Sequence, residues 1–177
     1  MIDLELGCRA LLAVVLGAAA IGKLRRRAFE SFTLSLSALG LPAAFARPSV
    51  AALVVAFEAA AAVLLMVAPA VGYALALALI AAFTVVLHRV VHSGRRVACW
   101  CFGASTTPVG VSHHVRTAAL LVGAGLGIAA GALADGDAAA PPVRMVALAC
   151  GVLAGAAIAR WDDLAYVVRP ALAGRRR

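Results

Sequence analysis

Two cysteines separated by a single tryptophan are the most reactive feature of this sequence. Cys99 and Cys101 flank Trp100 in the stretch RRVACWCFG, residues 95–103. Thiols this close together can form a strained disulfide ring, and strain makes a disulfide easier to reduce. The arginines that precede them, and a helix N-terminus after Gly103, would favour the thiolate form. These are the conditions for thiol–disulfide exchange. The alternative is that the two cysteines are small packing residues without a redox role.

Four histidines near the cysteines raise a second possibility, a metal site. His88 and His92 are four residues apart, so their rings would share one helix face. Together with Cys99 and Cys101 they would supply two imidazoles and two thiolates, which suit tetrahedral zinc or copper(I). A further histidine pair follows at 113–114. Because the spacing matches no standard zinc finger, we expect no metal or other cofactor and keep the metal site as the alternative.

Charged residues inside apolar stretches are the next candidates. Glu58 lies in the middle of VVAFEAAAAVLL. An ionisable side chain at that depth is costly and by default marks a function, so we expect Glu58 to be a functional acid; the alternative is a packing residue. Lys23 ends the first apolar run, where it could extend to water or reach a neighbouring helix. Glu5 and Arg9 are four residues apart and could pair near the membrane boundary.

The elements that position these residues are membrane-spanning helices. Of the 177 residues 64% are apolar and the mean hydropathy is +1.02, whereas soluble domains are roughly 45–50% apolar. Runs of about 20 apolar residues span a bilayer as helices. The sequence predicts an all-α polytopic bundle of four to five such helices in a single domain, residues 1–177. The predicted spans are 4–22, 49–68, 71–91, 115–134 and 142–160.

The first predicted span is the least secure, because it carries Glu5 and Arg9 near its start. Strands are not expected, since the apolar runs lack the alternation of a barrel.

The segment between the first two spans, residues 23–48, is too polar to cross a membrane. Its apolar residues Phe29, Phe32, Leu36 and Leu39 recur at helical spacing. This pattern predicts an amphipathic helix at the membrane interface, with a loosely packed loop as the alternative.

Glycines four residues apart occur in the last two predicted spans, at Gly123, Gly127 and Gly131 and again at Gly151 and Gly155. Small residues at this spacing let helix backbones approach closely in lipid. The alternative is that they reflect only the general abundance of glycine and alanine.

Two further cysteines, Cys8 and Cys150, fall in the first and fifth predicted spans. Isolated cysteines in helices are usually small packing residues. A second redox pair is the alternative.

The basic residues predict an orientation. The net charge is +8, but the positive residues occupy the gaps between apolar runs, which argues against a nucleic-acid partner. Five spans place 14 of the 16 Lys and Arg residues on one side, leaving Arg9 and Arg144 on the other. The positive-inside rule then puts residues 92–114, with the Cys-Trp-Cys pair, at the cytoplasmic face of the cell membrane. These 14 residues are Lys23, Arg25, Arg26, Arg27, Arg47, Arg89, Arg95, Arg96, Arg116, Arg160, Arg169, Arg175, Arg176 and Arg177.

Three stretches together resemble the MauE methylamine-utilisation family, which is related to the DoxX-like membrane proteins. They are AAIGKLRRRAFESF, the span around Glu58, and RRVACWCFGASTTPVGVSHHVRTAALL. The resemblance covers about residues 8–134. It implies a polytopic helical protein that works with a thioredoxin-like partner on a client protein with disulfides.

The resemblance also implies roles for individual residues. Cys99 and Cys101 would be the redox pair, and Lys23, Glu58 and Arg116 the polar residues of the bundle. The sequence departs from the family at Trp100, where a small residue is frequent, and at Thr117, where Asn is common. Trp100 could shield the thiols or contact a partner.

These observations favour a membrane thiol–disulfide relay, and thus a thiol–disulfide oxidoreductase, that supports redox maturation of a partner protein. Disulfide formation belongs to oxidising compartments, whereas the charge pattern places the pair in the cytoplasm. A cytoplasmic pair could accept electrons from a thioredoxin and pass them through the bundle. The alternatives are a metal-handling membrane protein and a non-catalytic assembly subunit.

Overall fold

The computed structural model describes residues 1–39, 42, 44–93, 111–134 and 140–160. These residues form six α-helices: α1 (Ile2–Lys23), α2 (Arg26–Ala38), α3 (Pro48–Val67), α4 (Pro69–His92), α5 (Val111–Ala132) and α6 (Pro141–Ala159). All except α2 are long and apolar enough to cross a membrane. The prediction of an all-α, multi-pass membrane protein with five spans is confirmed.

Prolines begin three of the spans. Pro48, Pro69 and Pro141 each occupy the first helical position of their helix, where the fixed proline φ suits a helix and no amide hydrogen is needed. Only Ala68, in a non-helical conformation, separates α3 from α4. Gly72 permits this sharp reversal, because a Cβ there would overlap the backbone of Leu65.

Helix α1 is the central helix of the bundle. It packs most extensively against α6, then against α3 and α5. In its most apolar stretch 44% of the residues are buried, against 11% in α6. The span that looked least secure from its charges is therefore the one around which the others pack.

Contacts along α1 fix the direction of its neighbours. Arg9 contacts Leu65 and Lys23 contacts Glu58, so α3 runs antiparallel to α1. Gly7 lies against Gly151, and one turn further along both helices Leu11 lies against Gly155. Helix α6 therefore runs parallel to α1. The ends of α1, α4 and α6 and the starts of α3 and α5 consequently lie together, and we call this the Lys23 end. The opposite end is the Glu5 end.

Helix α2 confirms that the segment between the first two spans is helical. Its 13 residues are too few to cross a bilayer. Phe32 and Leu36 are buried against Ala51 of α3, with Phe29 and Val54 packed around them. Leu39, just after α2, is also buried. The predicted apolar face is therefore correct, and it packs on the bundle; a position at the membrane interface remains a prediction.

Three of the five glycines that were predicted to allow close helix packing lie at such contacts. A Cβ at Gly151 would overlap the carbonyl oxygen of Gly7, and one at Gly155 would lie 2.8 Å from the carbonyl oxygen of Leu11. A Cβ at Gly127 would overlap the hydroxyl of Tyr73. The glycines of α6 therefore allow its backbone to approach α1, as small residues do in membrane bundles. Gly123 and Gly131 have room for a methyl group.

Candidate functional site: a buried charged cluster

A buried ion pair joins α1 to α3. The Nζ atom of Lys23 donates to both carboxylate oxygens of Glu58, at 2.7 and 2.8 Å. Each side chain is only 1% exposed. Of the two possibilities for Lys23, the contact with a neighbouring helix is confirmed, and extension to water is wrong.

The antiparallel arrangement explains how a residue at the end of α1 reaches one in the middle of α3. Side chains on an α-helix tilt toward the N-terminus of their own helix. Lys23 therefore extends back along α1, while Glu58 extends toward the Lys23 end. The two side chains meet between their backbones. Removing one partner of such a buried pair typically costs about 3–5 kcal/mol, because the other charge remains buried.

An aromatic ring from α2 completes one wall of the pair. The Nζ atom of Lys23 lies 5.0 Å from the centroid of the Phe32 ring, within the range of a cation–π interaction. Phe32 is fully buried. The apolar periodicity of α2 had marked Phe32 as a packing residue, but nothing in the sequence indicated its contact with Lys23.

Arg116 adds a second cation from α5. It is 6% exposed, and its Nη2 atom donates to the carbonyl oxygen of Ala159, the last residue of α6, at 3.3 Å. Its charge lies close enough to repel that of Lys23. His113 and Thr117 are buried on the same turns of α5, where the Thr117 hydroxyl donates to the His113 carbonyl oxygen at 2.8 Å.

The structure thus brings together the three charged residues that the family resemblance had singled out: Lys23, Glu58 and Arg116. They come from three helices and share one buried location at the Lys23 end. We call them the charged cluster. Cys99, Trp100 and Cys101 lie outside the described residues. The chain leaves α4 after His92 and enters α5 at Val111, and both points belong to the Lys23 end.

The alternative metal site is only partly described. His88 and His92 share one face of α4, with ring centroids 4.0 Å apart. Among the described residues there is no group of three or more His, Cys, Asp or Glu side chains arranged to hold a metal ion. The two cysteines of that alternative lie outside the described part of the chain.

Polar residues also meet at the Glu5 end. The predicted pair is confirmed, with Arg9 Nε 2.9 Å from Glu5 Oε1. Arg9 Nη1 donates to the carbonyl oxygen of Leu65 at 3.4 Å, and the Tyr73 hydroxyl donates to the carbonyl oxygen of Glu5 at 3.4 Å. Tyr73 was not among the predicted site residues; a hydroxyl-bearing aromatic residue within an apolar run was the available signal.

The two isolated cysteines differ in environment. Cys8 is buried in the bundle, whereas Cys150 is exposed on α6, and both thiols are free. A packing role suits Cys8.

The sequence matches the model of a known protein family. The family model for the methylamine utilisation protein MauE matches residues 1–130. This range contains α1 to α4, nearly all of α5 and every residue of the charged cluster. Searches of curated proteins and of solved structures found no match. Since the family model covers well over half of the sequence, the chain belongs to the MauE family, whose members are membrane proteins of methylamine utilisation.

Proposed function

We propose that this protein is a membrane thiol–disulfide relay in which Cys99 and Cys101 exchange electrons with a thioredoxin-like partner. The relay would support redox maturation of a client protein with disulfides in methylamine utilisation. The observation that carries the proposal is the charged cluster. It lies at the end of the bundle where the chain bearing the two cysteines leaves α4 and enters α5.

The exchange needs a thiolate and a second thiol that resolves the intermediate. When the pair is reduced, one thiolate attacks a sulfur of the partner's disulfide and releases one partner thiolate. The second cysteine then attacks the mixed disulfide. The partner leaves as a dithiol and the Cys99–Cys101 pair becomes a disulfide, so that two electrons have moved to the partner. The reverse sequence reduces the pair.

The charged cluster suits this chemistry because it combines two cations with an acid. Positive charge favours a thiolate over a thiol, and Lys23 and Arg116 supply it in a region with little water. We include Glu58 in the proposal as the acid that exchanges protons with the thiols. Ionisable groups within membrane spans are rare and typically serve such roles.

We also propose that the cysteine pair faces the cytoplasm. The five spans put 14 of the 16 basic residues on the same side as residues 92–114, and the positive-inside rule assigns such a side to the cytoplasm. In a reducing compartment the pair would receive electrons from a thioredoxin-like partner.

A non-reducing gel tests the exchange and the orientation together. The variants Cys99→Ser and Cys101→Ser are expressed with a thioredoxin-like partner that is either kept in the cytoplasm or exported. One single variant should trap a mixed disulfide with the cytoplasmic partner, because the resolving thiol is missing. The double variant should trap none. Cys8→Ser and Cys150→Ser are the matched controls, and both should behave as the wild type.

Two results would contradict the proposal. No reductant-sensitive adduct with either partner in either single variant would remove the relay. An adduct only with the exported partner would keep the relay and reverse the orientation.

A further inference from the structure

The end of α4 carries a pair of histidines with a defined geometry. His88 and His92 occupy its last two turns, and both side chains are exposed. Their ring centroids are 4.0 Å apart and the ring planes are inclined by 40°. Two histidines four residues apart on one helix face can bind the same metal ion, as in the helical H-E-x-x-H motif.

The hydrogen bonding of His92 determines which ring nitrogen is available. Its Nδ1 atom lies 3.1 Å from the carbonyl oxygen of His88. A carbonyl oxygen only accepts, so in the neutral ring Nδ1 carries the hydrogen and Nε2 keeps its lone pair. Histidines that bind metals usually donate their other N–H to a carbonyl or carboxylate in this way, which fixes the ring orientation.

The position at a helix C-terminus also favours a cation. The last carbonyl groups of a helix carry the negative end of its dipole, and α4 ends at His92. Arg89 is the nearest cation along the chain. It follows His88 directly and therefore projects from a different side of the helix.

We propose that His88 and His92 form a binding site for a divalent metal ion of the nickel–copper–zinc group, with Cu²⁺ bound most tightly. Imidazole suits these metals, and copper leads the order of affinities for nitrogen ligands. The ligands are Nε2 of His92 and a ring nitrogen of His88. The described residues hold no larger group of metal ligands, and water fills the other positions of the ion. The site uses neither thiol and is independent of the proposed relay.

The test titrates Cu²⁺ into the full-length protein in detergent, after removal of any affinity tag. The background carries Cys99→Ser, Cys101→Ser and Cys150→Ser, which leaves only the buried thiol of Cys8. Electron paramagnetic resonance should show one equivalent of copper with nitrogen ligands. His88→Ala and His92→Ala should each weaken binding at least about tenfold, since even loss of a group that only orients a ligand costs this much.

His114→Ala, on α5, is the matched control and should bind as tightly as the background. If all three histidine variants bind alike, or copper shows no nitrogen ligands, the proposal is wrong. It is equally wrong if the wild type binds one equivalent and the background with the cysteines replaced binds none, because the metal then belongs to the replaced thiols.

Discussion

At the Lys23 end of the bundle the ion pair joins residues 35 positions apart in the chain, whereas at the Glu5 end it joins residues one helical turn apart. Lys23 and Glu58 are each 1% exposed. The side chains of Arg9 and Glu5 are 20% and 10% exposed. One pair ties two spans together in the interior, and the other lies along a single helix near its start.

The residues through which the helices pack also differ between the two ends. At the Lys23 end, α1, α2, α3 and α5 contribute charged or aromatic side chains to one location. Toward the Glu5 end, the spans approach through glycines, with Gly7 against Gly151 and Gly127 against Tyr73. Glycine contacts hold helices together at little cost in lipid, whereas buried charges rarely add stability. We therefore expect the charged cluster to serve the proposed relay and the glycine faces to serve the fold.

The largest expected effect follows from leaving one charge of the cluster without its partner. Glu58→Ala should reduce the free energy of unfolding by about 3–5 kcal/mol, because the Lys23 ammonium would remain buried. Replacing both residues by Met should recover most of this loss, since no charge is left. Unfolding of the purified protein in mixed detergent micelles measures both. If the double variant is as unstable as the single one, the pair itself stabilises the fold and the contrast between the two ends fails.

The variant Glu58→Gln distinguishes the contribution of Glu58 to stability from its proposed role in proton transfer. The amide keeps the shape of the side chain and can still accept from Lys23, but it cannot release a proton. We expect a smaller loss of stability than in Glu58→Ala together with reduced maturation of the client protein. Full maturation in this variant would exclude Glu58 from the relay.

The differences between prediction and structure have physical reasons. The spans, the apolar face of α2 and the Glu5–Arg9 pair follow from periodicity and from contacts three or four residues apart, which the sequence alone specifies. The Lys23–Glu58 contact depends on which helices are neighbours and on their relative direction. Composition says nothing about either, so the sequence marked both residues as unusual but left Lys23 two possible environments. The central position of α1 does not follow from its sequence, because charged residues usually disfavour burial; here Glu5, Arg9 and Lys23 find partners within the bundle.

A medium effect is expected where two backbones meet at a glycine. In Gly151→Ala the new methyl group would overlap the carbonyl oxygen of Gly7, and a backbone atom cannot move aside as the tip of a side chain can. We expect a loss of about 1–3 kcal/mol, as for other overpacked cores. Gly125→Ala is the matched control, because nothing lies within 4 Å of its Cβ position. It should be neutral or stabilise by up to about 1 kcal/mol, since alanine favours helix. Equal losses in both variants would mean that the glycine face does not hold α6 against α1.

The smallest effect should come from the local pair at the Glu5 end. Glu5→Gln removes the charge of the ion pair, but Arg9 keeps its bond to the Leu65 carbonyl oxygen. Arg9 is also partly exposed, so water can replace what the carboxylate supplied. We expect a loss of no more than about 1 kcal/mol, the usual limit for pairs that are not fully buried.

Glu30→Gln breaks the exposed pair with Arg26 on α2 and gives the baseline, which should not differ measurably from the wild type. The same unfolding assay compares these variants with Glu58→Gln, which replaces the same side chain at the other end. A loss in Glu5→Gln as large as that in Glu58→Gln would show that both pairs are equally important to the bundle. The larger loss should occur only where the acid links two spans.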